Sequence, residues 1–155
     1  ADRADLVVLT VPYSAQKGIL ESVKAHLGGK ILVDVTVPAN PSNIREVMIP
    51  EGRSAVEEGK ALLGEDVRLV AAFQNVSASL LKNLKAIIEC DVLICGDDKE
   101  AKEEVIKLAE AAGMRGVDAG PLVNAVAVEA LTPILMYINK RYSIHGAGVR
   151  ITQLA

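Results

Sequence analysis

Three short segments carry side chains suited to holding a flat, polar ring system: Thr10-Val11-Pro12, Thr36-Val37-Pro38 and Gln74-Asn75-Val76-Ser77. They close the apolar runs 5–12, 30–38 and 67–73, each of the kind that forms a buried parallel strand. In open α/β sheets, ligands bind beyond the carboxyl ends of the strands. Small hydroxyls, carboxamides and accessible backbone at that edge can hydrogen-bond a ring without charging it. Singly, a Val-Pro is only a strand terminator. Three such ends on one edge favour a cofactor cleft.

Acid–base and nucleophilic groups are scarce. His26 falls in the last turn of a predicted helix, where it is solvated or faces the helix dipole, and His145 in the tail is the one histidine placed to reach a site. Cys90 and Cys95 flank one predicted strand on opposite faces, so no disulfide is expected. No histidine lies near them to activate a thiol, and their spacing fits no zinc motif, so no metal site is expected. Asp97, Asp98, Glu100, Glu103 and Glu104 read as the solvated first turn of a helix, not as a catalytic pair. No Gly-x-Ser-x-Gly elbow is present. No residue is therefore assigned as catalytic acid, base or nucleophile. Hydride transfer between two bound cofactors manages without them, because it depends on proximity and orientation.

The elements that must position these segments follow from pattern. With 155 residues, half of them hydrophobic but only one Phe, three Tyr and no Trp, the chain can build one domain around Val, Leu, Ile and Ala. A helix opening at Tyr13-Ser14, capped by Ser14, buries Ile19, Leu20, Val23 and Leu27 and stops at Gly28-Gly29. Residues 39–51 form a loop, Ser54 and Glu57 make a capping box, and the helix after them reaches Gly64. A short helix spans 78–84, and a fourth strand 91–95. Asp97 caps a helix that runs to Gly113 and buries Val105, Leu108, Ala109 and Ala112; a fifth strand covers 116–119. Pro121 then opens a long apolar helix to about Asn139, with Asn124, Glu129, Thr132 and Asn139 in one sector. That stripe suits a core or dimer helix, or a helix whose start faces a ligand. Glu129 interrupts the run, so a membrane span is not expected.

Strands alternating with helices imply a Rossmann-like, doubly wound, mostly parallel α/β sheet followed by the long helix. The net charge of -3, with acids and bases interspersed, argues against nucleic-acid or anionic-membrane partners. No signal peptide is visible, and a cytoplasmic protein with reduced thiols is expected. The apolar helix and tail suggest a homodimer. No Gly-x-Gly-x-x-G follows the first strand, and Gly146 and Gly148 come too late to supply it. The expectation is that 1–119 is the second part of a dinucleotide-binding domain, its first βαβαβ half preceding Ala1, or that the sequence is a fragment. Residues 120–155 add the helix and tail.

Several stretches together resemble the NADPH-dependent reductases of the deazaflavin coenzyme F-420: D-L-V-V-L-T-V-P (5–12), G-R-S-A-V-E (52–57), A-F-Q-N-V-S-A (72–78), D-V-L-I-C-G-D-D (91–98), D-A-G-P-L-V-N (118–124) and V-E-A-L-T-P (128–133). The resemblance covers nearly the whole chain. It implies hydride transfer between C4 of the nicotinamide of NADP and C5 of the deazaflavin, with the two rings stacked at the carboxyl edge of the sheet. By position it implies that Val11, Pro12 and Ala78 lie along NADP. Gln74 and Val76 would sit between the rings, with Asn75 and Ser77 beside them. Pro121, Leu122, Asn124, Gly148 and Val149 would bound the deazaflavin pocket. Some members carry a histidine where this chain has Gln74; a glutamine orients a ring but cannot titrate. NADP over NAD rests on the resemblance alone. The rivals are an NAD(P)-dependent dehydrogenase of a small organic substrate, of the pyrroline-carboxylate or prephenate type, using Arg141, Arg150 or His145; a flavin-linked metal reductase with a fused membrane part; and a non-catalytic NADP sensor.

Overall fold

The computed structural model describes residues 3–83, 85 and 87–154. Five strands, β1 (Leu6–Leu9), β2 (Ile31–Asp34), β3 (Arg68–Ala71), β4 (Asp91–Gly96) and β5 (Arg115–Asp118), form one sheet in sequence order. The first three are parallel, with Leu9, Asp34 and Ala71 in register. Between β3 and β4 the described chain forms only the single turn of helix α3 (Ala78–Leu81), so it re-enters the sheet from the edge it left. β4 is therefore antiparallel to β3, with Cys95 opposite Ala71, and β5 runs parallel to β4. The predicted end of the short helix, Leu84, lies outside the described residues.

Alternation sorts the core onto two faces. Leu32, Leu69, Ala71 and Cys95 pack under α1 (Tyr13–Val23), α2 (Ala55–Leu63) and α5 (Ala125–Tyr142). Val33, Val70, Val92 and Ile94 pack under α4 (Lys99–Ala111). Cys90 and Cys95, both free thiols, belong to opposite faces.

Several expected boundaries shift. Pro12, at φ -60°, precedes α1 without a side-chain cap, so Ser14 is an exposed first-turn residue and not the cap. Ile19 is exposed, because the inward row of α1 is Gln16 and Leu20. The Ser54 hydroxyl accepts the Glu57 N–H at 3.1 Å, but Glu57 returns to that hydroxyl and not to the backbone, since the Ser54 N–H donates to Gly52 O. Asp98, not Asp97, caps α4 by accepting the Ala101 N–H at 2.8 Å; Asp97 accepts the Leu122 N–H at 2.9 Å. The buried row of α4 is Ala101, Val105 and Ala109, one turn earlier than expected, which leaves Leu108 half-buried and Ala112 exposed. Pro121 precedes a 3-10 turn, Leu122–Asn124, and α5 continues to Tyr142. Among the described residues, the helical stretch Leu122–Tyr142 is long and apolar enough to cross a bilayer by length and composition alone. It buries Ala125, Val128, Glu129, Pro133 and Leu135 against the rest of the fold and leaves Ile134, Tyr137 and Tyr142 exposed.

After α5 the chain turns through Ser143, at φ 53°, and returns along β4. The Asp91 N–H donates to Val149 O at 2.8 Å, and Asp91 Oδ2 accepts the Ile151 N–H at 2.6 Å. Arg115 makes a fork with the same carboxylate, at 2.9 and 2.7 Å, and also donates to the carbonyls of Ile151 and Leu154. The Arg115 bonds hold the Asp91 carboxyl below its ordinary range. An Arg115→Ala variant is expected to release the tail: limited proteolysis should cleave after residue 148 under conditions that leave the wild-type protein intact.

Candidate functional site

The parallel register of β1, β2 and β3 sets Thr10, Val35 and Ala72, and the residues that follow them, on one edge of the sheet. β3 leaves through Phe73, which holds φ 70°, a left-handed conformation that costs a bulky side chain about 1–3 kcal/mol. The turn closes with the Val76 N–H donating to Phe73 O at 3.1 Å and sends Gln74 inward. Gln74 is 4% exposed. Its Nε2 donates to Asp34 O at 2.8 Å, and its backbone carbonyl accepts the Thr132 hydroxyl at 2.7 Å. Its Oε1 has no partner.

Beside it lies a cleft of about 400 Å3. One wall is the segment 74–79; the other is Thr132, Leu135, Met136 and Asn139 of α5, with Ala147 of the tail. Among the described residues every lining side chain is an amide, a hydroxyl or apolar, and none is titratable. A larger groove, about 570 Å3, lies between α1 and α2, but its walls are helix residues alone. There the Tyr13 hydroxyl donates to Glu58 at 2.7 Å, and burial together with Glu58 pushes the tyrosine up to about 12.

A buried polar chain supports the cleft from below. Asp34 accepts Gln16 Nε2 at 2.6 Å and the Thr36 N–H at 2.8 Å, and Gln16 Nε2 also reaches Ala55 O at 2.9 Å. Burial pushes the Asp34 carboxyl up, against the pull of Thr36 and Gln16. Glu129, 3% exposed, accepts the Ala55 and Val56 N–H groups at 2.7 and 3.1 Å, the first donors of α2. Burial pushes Glu129 up to about 8; the two amide bonds oppose this, and Asp34 and Glu57 add to it.

The structure brings Gln74, Asn75, Val76, Ser77 and Ala78 together in the cleft. The Asn75 side chain is committed elsewhere: it donates to Asp91 O at 2.7 Å and accepts the Leu93 N–H at 3.3 Å, tying the turn to β4. Thr36 is buried with its hydroxyl unpartnered, Pro38 is buried, and Val37 is half-buried. Thr10 and Pro12 are exposed and Val11 half-buried at the neighbouring strand end. Gly148 presses on Cys90, where an added Cβ would lie 2.7 Å from Sγ, and Val149 anchors the tail to β4.

Pro121, Leu122 and Asn124 do not line this cleft. Because β4 and β5 run opposite to β3, the end of β5 lies at the other edge. Leu122 is buried there in the core, near Leu69 and Asp97, and Asn124 Nδ2 donates to Ala119 O at 2.8 Å. The long helix reaches the cleft only later, through Thr132, Leu135, Met136 and Asn139, which the sequence reading did not assign to the site. Two of these stood in its polar sector, and that was the available signal. Arg141, Arg150 and His145 do not line the cleft.

No family model matches the chain. It is 38% identical over 159 residues to the F420-dependent NADP reductase of Methanothermobacter marburgensis, a match spanning 99% of this chain and 71% of that protein. The enzyme of the same name from Methanocaldococcus jannaschii is 37% identical over 158 residues, spanning 99% of this chain and 70% of the relative. A solved structure described as a candidate F420-dependent NADP reductase of an Arthrobacter species superposes with a TM-score of 0.84 at 23% identity, over 98% of this chain and 71% of that one, a likeness of fold.

The raised value of Glu129 has a consequence for stability. A carboxyl whose folded value lies above its unfolded one stabilises the fold fully at low pH, and that contribution is lost as pH rises toward about 8. Urea midpoints measured from pH 5 to pH 9 are expected to fall with rising pH in the wild-type protein and to be flatter in Glu129→Gln. Equal slopes would remove this role.

Proposed function

The chain belongs to the F420-dependent NADP reductase family, and from that membership we propose that it is an oxidoreductase moving a hydride between NADP(H) and the deazaflavin coenzyme F-420 at the cleft beside Gln74. The observation that carries the reading is the lining itself, a ring-sized cleft without a titratable side chain. When bound, NADPH supplies the hydride and the deazaflavin the accepting carbon. The protein's contribution is orientation and exclusion of water. Gln74 Oε1, buried and unpartnered, offers an acceptor to an amide or ring N–H; such an atom left unmade costs about 1–3 kcal/mol, which a ligand donor would regain. Val76, Leu135 and Met136 supply apolar contact for ring faces. The half-buried Val37 and the Thr10-Val11-Pro12 end extend the surface proposed for NADP along the same edge.

A dehydrogenase of a small organic substrate would need a cation or an acid–base group in the cleft, and Arg141, Arg150 and His145 lie outside it. A sensor would bind NADPH without turnover. The same reading treats 1–119 as the second part of a dinucleotide-binding domain and 120–155 as its helix and tail. A homodimer is supported by the exposed apolar residues Tyr142, Ile144, Ile151 and Leu154 around the tail. The buried free thiols suit a reducing, cytoplasmic setting.

Full-length protein mixed with NADPH and oxidised coenzyme F-420 should bleach the visible absorbance of the deazaflavin, while a flavin run in parallel should stay coloured. Gln74→Met, which removes the acceptor offered to the ligand together with the Nε2 bond to Asp34 O, should lower kcat/KM about tenfold or more. Bound NADPH with no bleaching would overturn the proposal.

A further inference from the structure

At the Gln74 end of the cleft the side-chain hydrogens are already spent on the fold. Gln74 Nε2 donates to Asp34 O at 2.8 Å, Asn75 Nδ2 to Asp91 O at 2.7 Å, and the Thr132 hydroxyl to Gln74 O at 2.7 Å. The Ser77 and Ser79 hydroxyls bond to each other at 2.8 Å. What this end offers a guest is oxygen: Gln74 Oε1, buried without a partner, and the lone pairs of the Thr132 hydroxyl. Asn139, which keeps an amide donor, stands two turns further along α5, ~10 Å away. Val76, Leu135 and Met136 supply apolar surface. Among the described residues no cation lines the cleft. The titratable side chains tied to Gln74 by the hydrogen-bond chain beneath it are acids. Asp34 is tied through its backbone carbonyl, and Glu129 through Ala55 and Gln16. Oxygen dipoles with acids below them favour a cation as guest over an anion. The lining also selects among hydride acceptors. A ketone gains a negative oxygen as the hydride arrives and needs a proton there, and no side chain of this cleft is an acid that gives one. An iminium ion needs none, because the hydride cancels its charge.

We propose that the same cleft reduces flat, permanently charged iminium ions with NADPH, a second class of substrate beside the deazaflavin. The inference rests on the function proposed above, because it uses the same bound NADPH. In the step, the hydride leaves C4 of the nicotinamide with its electron pair and bonds to the iminium carbon, while the π pair of C=N withdraws onto nitrogen. NADPH is oxidised to NADP+, the iminium is reduced to a tertiary amine, and no proton enters or leaves. The protein holds the cation against the oxygen-lined end and orients its carbon to the hydride.

The probe is N-methyl-3,4-dihydroisoquinolinium, a flat cation, with 1-tetralone as a neutral ketone of nearly the same outline. Full-length protein with NADPH should convert the cation to the tertiary amine well above the protein-free rate and leave 1-tetralone unchanged. NADPH doubly deuterated at C4 should place one deuterium at C1 of the amine, read by mass. The cation should also slow F-420 bleaching competitively. Binding is read apart from turnover, by calorimetry of the cation on protein saturated with NADP+. Met136→Lys, which sets a positive charge in the cleft wall, should weaken that binding about tenfold or more. Met136→Leu should keep it within about threefold, and urea midpoints confirm that both variants are folded. Bleached F-420 beside an unreduced cation would overturn this inference and leave the reductase reading standing. Reduction of 1-tetralone at a comparable rate would reveal a proton donor, and cation binding indifferent to Met136→Lys would place it elsewhere; either overturns the inference. A cation reduced while F-420 stays coloured would support the iminium class and remove the reductase reading, and reduction of neither would remove both.

Discussion

The carboxyl group of Glu129 fastens the long helix to the head of α2, and the cleft depends on that fastening. It accepts the first two free amides of α2 from a helix that starts at the far edge of the sheet. Negative charge there is favoured by the helix dipole and opposed by burial. From Ala55 the connection continues through Gln16 to the Asp34 carboxylate, and from the Asp34 carbonyl to Gln74. Thr132, one turn beyond Glu129 on α5, closes the loop by donating to the Gln74 carbonyl. A single run of hydrogen bonds thus sets helix, sheet and Gln74 in fixed relation, which a reaction relying on ring orientation requires.

The second constraint is the reversal at β4. It divides the ends of the strands between two edges, giving the ends of β1, β2 and β3 to the cleft and those of β4 and β5 to the turn before α5. The helix must then cross the whole sheet to reach the cleft, and its length of 18 residues follows from that span. Its polar stripe is consumed along the way: Asn124 holds Ala119 O, Glu129 caps α2, Thr132 holds Gln74, and Asn139 takes the Ala147 N–H at 2.8 Å.

The sequence made the strands and their apolar ends legible, because buried parallel strands read as continuous runs stopped by proline or glycine. The 74–78 segment was legible for the same reason: it follows a strand that must be central. Strand direction was not. Nothing in the residues 91–95 distinguishes a parallel from an antiparallel neighbour, so the edge at which β5 ends was not legible. Helix caps slipped by one residue where two acids stand together, as at Asp97 and Asp98, since either can accept an amide and only the packing of Leu122 chooses. The polar stripe of α5 left a ligand role and a structural role open, and its side chains turned out to be tethers. The site assignments therefore come from strand ends and resemblance together with the geometry of the cleft.

The central claim is direct passage of a hydride between two rings in a cleft that offers no group to carry a proton. It is tested most directly with NADPH doubly deuterated at C4, oxidised coenzyme F-420 and the protein in ordinary water, reading the reduced coenzyme by mass and proton resonance. The account predicts one deuterium at C5 of the deazaflavin for each turnover and none released to solvent. Label lost to water, or found in neither product, would mean that the transfer passes through an exchangeable group, and would contradict it.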